Sequence, residues 1–553
     1  MKKPLAIDQN RSSARRGQKG KTDKVGSTAK RSAGFRKTTL GDLFGIDARS
    51  LAAFRIFAGV LLLVDLATRA TDLRAMYTDE GMFSRAEISS RITTIWNWSF
   101  HFWGGSVGYQ AVLFGLAGAL AVALLAGFKT RIATVGSWLM LVSIHHRVPA
   151  ILSGAEILLR MLLFWAMFLP LGRAWSVDRW RDRPHSGSGA STEGEARVLS
   201  VASAAILLQM GLMYLFSAIS KSNTQWLHGE ALGGILAHDF YASPPAAYLL
   251  RFPRLLAVLT RITLALEWAA PLLLFSPRHM ARLRLAIIAA LAAMHAGIGI
   301  CLEVGLFSYV SLAGLTLFLP KEFWESRLLA RLSAPTSDDR RLASPVKTIP
   351  RKHSPLFYAT QGLCLMALIY VLALNLNNFS NRVLAPFDPE KWRALRTGLG
   401  LSQSWGMFGE IPSMSGWYVA RAKLKDRSEI DLLRQGAAVD WRKPEFPARL
   451  YPNHFWQKLF REMTYFDEQG FQVYRAPVAE YLCRRWNGRN PPDKKIAEFE
   501  FVFCMIDPKT PGRSSPRVFR SQLVRLDFSP ESDRPVVSGY SDAPRSGLGN
   551  GAP

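Results

Sequence analysis

The sequence predicts an all-α polytopic membrane core of about nine transmembrane helices, followed by a smaller, mostly β extracytoplasmic domain. Two observations predict the core: 49% of the 553 residues are hydrophobic, and apolar runs of about 17–22 residues, long enough to cross a bilayer, recur between residues 51 and 375. A third predicts the second domain, because the chain after residue 376 is polar and contains short alternating stretches. Backbone groups in lipid have no water to bond, so the spans must be helices.

The N-terminal tail explains much of the formal net charge of +27. Residues 1–39 carry 12 Lys and Arg against only Asp8 and Asp23. We expect this tail to be disordered and cytoplasmic, beside anionic lipid, and expect no nucleic-acid partner. No apolar segment follows the first residues, so we expect no cleaved signal peptide.

Nine candidate spans can be placed on the apolar runs. They are Leu51–Ala67, Val107–Gly127, Ile132–Ile144, Ile151–Leu171, Val198–Ile219, Leu255–Phe275, Leu283–Leu302, Val304–Leu319 and Leu356–Leu374. With the tail inside the cell, the segments 129–131, 172–197, 276–282 and 320–354 are cytoplasmic, and all four are basic, as the positive-inside rule requires. An odd number of spans in the inner membrane then places the C-terminal region outside the cytoplasm.

The C-terminal region has the patterns of a folded soluble domain. Gly416–Leu424 and Phe499–Met505 alternate like strands, and Asn453–Glu468 has apolar residues at helical spacing. Cys483 and Cys504 both fall here, where a disulfide can persist, but spacing alone leaves that pairing open. The predicted boundaries are 1–45 for the basic tail, 46–375 for the transmembrane domain, 376–528 for the extracytoplasmic domain and 529–553 for a disordered tail.

Ionisable residues inside spans are costly, so each needs a partner or a purpose. Most of them collect toward the outer ends of the helices, under the soluble domain. They are Asp65, His145, His146, Glu156, Arg160, Lys221 and His295. We expect Glu156 and Arg160 to pair with each other and Asp65 either to act as a cap or to pair with a neighbouring arginine, as parts of a structural network. Glu267, which we also assign to the structural network, should lie near mid-membrane, apart from the outer group. The histidines are open to either a structural or a functional role.

Lys221 is the strongest functional candidate. It follows the run Val198–Ile219 and precedes a polar stretch that contains Trp226. A lysine at this boundary is either a snorkelling anchor or a buried amine. Since burial favours the neutral amine, such a lysine can act as a general base on a membrane-soluble acid such as a quinol or a phenol.

Two aromatic clusters accompany these residues. The segment 96–103 is typical of an interfacial belt. The segment Trp405–Phe408 either forms part of the soluble core or faces the membrane. We expect Trp405, Met407 and Phe408, together with Trp226, to contact a substrate.

An ordered series of motifs resembles a known family over about residues 45–425. Its strongest part is Tyr214–Lys221 with Trp226–Gly229. The other parts are Phe54-Arg55-Ile56, Asp65, Tyr77–Gly81, Gly172–Asp178, Glu267, His295, Gly305–Val310 and Gln403–Phe408. The chain resembles the vitamin K-dependent γ-glutamyl carboxylases and their bacterial relatives, the HTTM (horizontally transferred transmembrane) domain proteins.

The resemblance implies a chemistry for these residues. In the carboxylases, a lysine matching Lys221 deprotonates a reduced quinone, and oxygenation of that quinone drives capture of CO2 by a glutamate. It therefore implies Lys221 as base, with His295, His145 or His146 as polarising groups. The cofactors implied are a menaquinol or vitamin K hydroquinone, O2 and CO2, without a metal. The partners are the bilayer and an exported peptide or protein.

The chain also departs from that family pattern. Ser220 replaces a second lysine before Lys221, and the outer domain is much shorter than in the animal enzymes. A non-catalytic membrane factor for maturation or export of a secreted peptide is therefore the alternative.

Overall fold

The computed structural model describes residues 38–90, 95–182, 197–277, 280–326, 354–379, 392–411, 415–465, 471–506, 518–528 and 536–538. Most of the two tails predicted to be disordered lies outside these residues. Within the described part, the N-terminal tail contains a short helix, Leu40–Phe44, and the tail 529–553 contains a short strand, Val536–Ser538. The described chain is helical up to residue 379 and ends in a β-sheet with two helices. This is the predicted fold class.

Nine helices in the described residues occupy the positions of the nine predicted spans. They are α1 (Ala48–Ala70), α2 (Val107–Ala126), α3 (Thr130–Arg147), α4 (Gly154–Ala166), α5 (Val201–Ser220), α6 (Pro253–Leu273), α7 (Ala281–Cys301), α8 (Phe307–Leu315) and α9 (Pro355–Phe379). Six of them, α1, α2, α5, α6, α7 and α9, are long and apolar enough to cross a membrane. The chain is therefore a multi-pass membrane protein, and nine crossings stay a prediction.

The helix ends carry the expected capping residues. The side chains of Asp47, Ser106, Ser153 and Ser200 accept hydrogen bonds from the first turns of α1, α2, α4 and α5. Each satisfies a backbone N–H that has no partner inside the helix. Gly127 ends α2 in the left-handed conformation, at φ 72°, which glycine adopts without a Cβ penalty.

The connections between these helices gather alternately at two ends of the bundle. At one end, which we call the β1 end, strand β1 (Ile46–Asp47) pairs with β2 (Arg197–Val198). There Ser50 Oγ donates to the Leu319 carbonyl at 2.9 Å, and the Asp178 carboxylate accepts from Thr130 N at 2.8 Å. The starts of α1, α3 and α5 and the end of α8 therefore lie together at the β1 end.

The other connections meet at the opposite end, which we call the domain end. Ser243 Oγ donates to the Ile300 carbonyl at 2.8 Å, and Arg147 donates to the Phe83 carbonyl. Asn453 of the C-terminal domain donates to Asp72 Oδ2 at 2.6 Å. This alternation is what an up-and-down bundle of nine helices requires.

The C-terminal domain contains a six-stranded antiparallel sheet of order β5-β4-β3-β6-β7-β8. Its strands are β3 (Gly416–Leu424), β4 (Glu429–Asp431), β5 (Ala437–Ala438), β6 (Ile496–Ile506), β7 (Val518–Asp527) and β8 (Val536–Ser538). Helices α10 (His454–Tyr465) and α11 (Arg475–Asn487) accompany the sheet. Both predicted strands are confirmed, and α10 confirms the predicted helix as far as residue 465, with 466–468 outside the described residues.

Shorter helices complete the described structure. They are Leu73–Tyr77, Arg85–Ser89, Val177–Arg181, Thr224–His228, Ala231–Leu236, Pro244–Leu249, Lys321–Trp324 and Arg393–Gly398. Three of them follow Lys221 and form the long connection between α5 and α6, on which the C-terminal domain rests.

Phe240, in that connection, joins the domain to the membrane helices. Its ring stacks on those of Tyr451 and Phe503, at centroid distances of 5.9 and 6.1 Å. Its carbonyl accepts a hydrogen bond from the Gln457 amide. Buried side chains of the helices and of the sheet therefore form one continuous apolar core.

The structure resolves the open question of the disulfide. Cys483 and Cys504 are both free thiols. Cys483 packs in the main core, whereas Cys504 packs with Trp417 and Val419 in a separate small cluster. Because the two thiols belong to different packing clusters, no disulfide joins them, and burial raises the pKa of Cys504 to about 11.

Candidate functional site

The Lys221 side chain is buried, and its amine donates hydrogen bonds to Ser217 and Glu267. Lys221 is the C-cap residue of α5, and its side chain turns back to donate a hydrogen bond to Ser217 Oγ. Its Nζ lies 3.0 Å from both carboxylate oxygens of Glu267 on α6 and 5.4 Å from the centroid of the Trp226 ring. With Lys221 only 5% exposed and Glu267 6% exposed, the two form a buried ion pair, so Lys221 is not a snorkelling anchor.

The expectation that Glu267 lies apart from Lys221 is wrong. It rested on counting depth along each helix as if α5 and α6 began and ended at the same levels. In the structure, the Phe275 ring near the end of α6 lies beside Gly211 in the middle of α5. Counting back from Phe275 along the antiparallel α6 brings Glu267 level with Lys221.

A second polar pair lies on the same face of α5. Tyr214, Ser217 and Lys221 follow one another at helical spacing and so share a face. Tyr214 Oη lies 2.9 Å from His295 Nε2 of α7, and the His295 ring meets Phe307 edge-on, with centroids 5.7 Å apart. His295 Nδ1 is buried with no hydrogen-bond partner among the described residues. His295 thus belongs to the surroundings of Lys221.

Residues 403–409, which we call the cover segment, lie against the turn that follows Lys221. Trp226 Nε1 donates to the Phe408 carbonyl at 2.9 Å, and Asn223 Nδ2 donates to the Gly409 carbonyl at 2.5 Å. The Phe408 ring meets Tyr241 edge-on, with centroids 5.0 Å apart. The predicted substrate contacts Trp226 and Phe408 are therefore bound to each other beside the ion pair.

The first part of the cover segment is held by the membrane helices. Gln209 of α5 donates to Gln403 Oε1 at 2.6 Å, and Trp405 Nε1 donates to the same oxygen at 3.0 Å. The Met407 sulfur lies beside Gly154 at the start of α4. Trp405 therefore neither faces lipid nor belongs to a separate core of the soluble domain, because it is buried in the core that the domain shares with the membrane helices.

His145 and His146 have other partners. Arg160 Nη1 donates to His145 Nδ1 at 3.4 Å, and His146 Nδ1 donates to the Trp98 carbonyl at 2.8 Å. Arg160 also donates to the Ser402 carbonyl at 2.9 Å, one residue before the cover segment. In the described residues, the hydrogen bonds of the two histidines are to Arg160 and Trp98 and not to Lys221.

The predicted Glu156–Arg160 ion pair is replaced by other contacts. Glu156 is the third residue of α4 and accepts from Ser153 N at 2.6 Å, which completes a capping box. Its other oxygen lies 3.7 Å from His454 Nε2 of the C-terminal domain. The capping geometry draws the carboxylate back over the helix start, away from Arg160.

Asp65 has the arginine partner that the sequence predicted. Arg69 Nε donates to Asp65 Oδ2 at 2.8 Å and Nη1 donates to Tyr77 Oη at 2.9 Å. The guanidinium also lies 4.1 Å from the centroid of the Phe455 ring. Asp65 and Glu156 therefore help to dock the C-terminal domain onto the helices.

Tyr214 and Ser217 are the site residues that we did not single out from the sequence. Both belong to the motif before Lys221, and their spacing on one helix was the available signal. His454 had no such signal, because its partner Glu156 lies far away in the chain. Chemically, the site combines an amine, a carboxylate and two hydroxyls, a set that can accept and donate protons in apolar surroundings.

The family to which the chain belongs follows from comparison with known protein families. The HTTM domain matches residues 45–324, just over half of the chain. The match includes Lys221, Glu267 and His295 and ends before the cover segment. No curated protein and no solved structure matches the chain significantly. The chain belongs to the HTTM domain family.

Proposed function

We propose that this protein is a membrane-embedded enzyme that removes a proton from a lipid-soluble hydroxyl compound, with a quinol as the leading substrate. The observation that carries the proposal is the buried Lys221–Glu267 pair. Removing two charges from water costs several kcal/mol per ion. Ionisable groups at membrane depth are therefore functional candidates by default.

The ion pair, rather than the amine alone, is the base. A carboxylate at 3.0 Å stabilises the charged form of Lys221. When the substrate O–H bond breaks, the proton passes to the pair and is held by the Glu267 carboxylate, while the ammonium stabilises the substrate oxyanion. In this step the pair as a unit gains one proton.

Aromatic and polar side chains around the pair support a phenolic substrate. Trp226, Phe307 and Tyr214 supply aromatic surfaces, and the Tyr214–His295 hydrogen bond supplies a second polar contact for a ring with two hydroxyls. A bound quinol would supply the electrons that reduce O2. Capture of CO2 by an exported peptide is the further reaction that the carboxylase resemblance suggests.

The distribution of charge supports one orientation in the membrane. Lys129, Arg131, Arg173 and Arg179 all lie at the β1 end, which supports a cytoplasmic position for that end. The domain end and the cover segment would then face the outside of a bacterial inner membrane. An exported substrate would reach the site from that side.

The test is quinol-dependent oxygen consumption by the full-length protein in detergent. The probes are menaquinol and vitamin K hydroquinone, with quinone epoxide as the product measured by mass spectrometry. We expect Lys221→Ala and Glu267→Gln to lower the rate at least about 100-fold, the scale of loss of a general base. Lys321→Ala, at an exposed lysine of the β1 end, is the matched control and should keep the wild-type rate. Folded wild-type protein that oxidises neither quinol would refute the proposal.

One observation favours the alternative of a non-catalytic factor for maturation or export of a secreted peptide. The Lys221 ammonium already donates to Ser217 and Glu267, as a purely structural pair would. This alternative predicts that Lys221→Ala preserves peptide export in cells, whereas changes in the outer domain at Trp405 or Trp417 abolish it. Both tryptophans are buried, so the amount of folded protein must be measured in parallel.

A further inference from the structure

A second candidate binding site lies between α1, α2 and α3. It is a narrow groove with apolar walls that include Leu66, Leu113, Ala117 and Met140. Asp65, His101 and Ser137 provide its polar groups. None of its lining residues belongs to the surroundings of Lys221, so the groove is distinct from the proposed catalytic site.

The groove opens toward the part of the surface that lipid would cover. Its wall residues Leu113 and Ala117 are half-buried. Val112 on α2, the chain neighbour of Leu113, is 70% exposed. Since α1, α2 and α3 belong to the membrane core, this side of the groove faces the bilayer.

The polar groups of the groove are mainly hydrogen-bond acceptors. Gln110 Nε2 donates to the carbonyls of His101 and Gly104 at 3.1 and 2.6 Å. Its Oε1 must therefore accept from His101 Nδ1, at 2.6 Å. That fixes the tautomer and leaves His101 Nε2 as an acceptor. Burial lowers the pKa of His101 to about 4, so the ring is neutral at pH 7.

Ser137 indicates that a hydrogen-bond partner is missing from the groove. Its hydroxyl is buried and makes no hydrogen bond among the described residues. An unpaired buried hydroxyl costs about 1–3 kcal/mol, so such groups usually have a partner, whether protein, water or ligand. Asp65 adds a carboxylate to the same groove and disfavours an anionic head group.

We propose that this groove binds a lipid-soluble compound whose head donates a hydrogen bond, with the hydroxyl near His101 and Ser137 and the apolar chain between α1 and α2. An isoprenoid alcohol and an isoprenoid quinol share this chemistry. The groove would hold such a molecule beside the membrane core, independently of proton transfer at Lys221.

Binding to the full-length protein in detergent tests the proposal. The probes are radiolabelled farnesol and a short-chain ubiquinol, each compared with its methyl ether, which cannot donate a hydrogen bond. Saturable binding of farnesol alone would identify the groove as an isoprenoid alcohol site. Saturable binding of the quinol alone would identify the groove as a quinol site if Ala117→Phe weakens that binding, because the proposed catalytic site also takes a quinol. We expect the ether to bind at least about threefold to tenfold more weakly, the scale of one lost hydrogen bond. Equal binding of alcohol and ether, or no saturable binding of either probe, would overturn the proposal.

Substitutions on one helix provide matched controls. Ala117→Phe fills the groove and should weaken binding at least tenfold, as about 1.4 kcal/mol corresponds to a factor of ten. Ala119→Phe, on the exposed side of α2, should leave binding within about twofold. Ser137→Ala should weaken binding about threefold to tenfold and keeps the test valid if Ala117→Phe misfolds. Unchanged affinity in both groove variants contradicts the proposal.

The Lys221→Ala variant separates the two sites. It should bind farnesol like the wild type even though we expect it to lack quinol oxidation. If Lys221→Ala abolished binding in folded protein, the groove would not be an independent site. A protein that binds farnesol yet oxidises no quinol would refute only the proposed function.

Discussion

The burial of Lys221 and Glu267 decides what each side chain can do. A buried ion pair contributes little net stability, because desolvation offsets the attraction between its charges. Loss of one partner alone is much more costly, since it leaves an unpaired charge in the core. This asymmetry allows the catalytic and structural roles of the pair to be separated.

Single and double substitutions should therefore differ in stability. We expect Lys221→Met alone to destabilise the protein by about 3–5 kcal/mol, through the stranded carboxylate. The double variant Lys221→Met/Glu267→Leu should unfold near the wild-type temperature, because it removes both charges and keeps the apolar volume. Thermal unfolding in detergent measures this. A double variant as unstable as the single one would mean that the pair stabilises the fold.

His101 makes stability depend on pH. Its pKa is lowered by burial to about 4 in the folded protein, against about 6.5 in an unfolded chain. The unfolded state thus binds the proton first, so stability is complete above about pH 6.5 and is lost as the pH falls toward 4. Between pH 7 and pH 5 we expect a loss of about 2 kcal/mol from this residue. His101→Gln should reduce the measured pH dependence by that amount; an unchanged dependence would contradict the burial effect.

At the scale of the helices and strands, sequence patterns predicted most of the structure. Apolar runs predicted the positions of α1 to α9, and alternation predicted β3 and β6. Helix α11 was missed because Pro477 and the charged Arg484 and Arg485 interrupt its apolar pattern. The offset between α5 and α6 was also missed, since hydropathy gives helix positions along the chain but not their relative heights.

The cover segment should depend on the Trp226 indole. Trp226→Phe keeps an aromatic ring but removes the hydrogen bond to the Phe408 carbonyl. The loss of about 1 kcal/mol should speed amide hydrogen exchange in residues 403–409 about fivefold. Trp268→Phe is the control, because its indole bonds to Ser222 instead. Equal exchange in wild type and Trp226→Phe would show that this bond does not hold the segment.

At the scale of the whole molecule, the C-terminal domain and the membrane helices share one core. The sequence predicted a membrane core and a separate soluble domain. It could not predict how the two regions contact each other, because pairs such as Glu156–His454 join distant parts of the chain. The alternation of connections between the β1 end and the domain end agrees with nine crossings. It leaves the side of the membrane to be established by labelling.

Engineered cysteines can determine that orientation. The four native cysteines are buried, so a membrane-impermeant maleimide should report on a new exposed one. We expect Lys425→Cys in the C-terminal domain to react in intact spheroplasts, and Arg179→Cys at the β1 end to react only after permeabilisation. The reverse pattern would invert the topology and place the site on the cytoplasmic side.

The central claim is that the Lys221–Glu267 pair performs proton transfer. Quinol-dependent oxygen consumption by the folded Lys221→Met/Glu267→Leu protein tests it most directly, because that variant lacks the pair without stranding a charge. We predict wild-type thermal stability with no measurable quinol oxidation. Oxidation at the wild-type rate by this variant would contradict the claim.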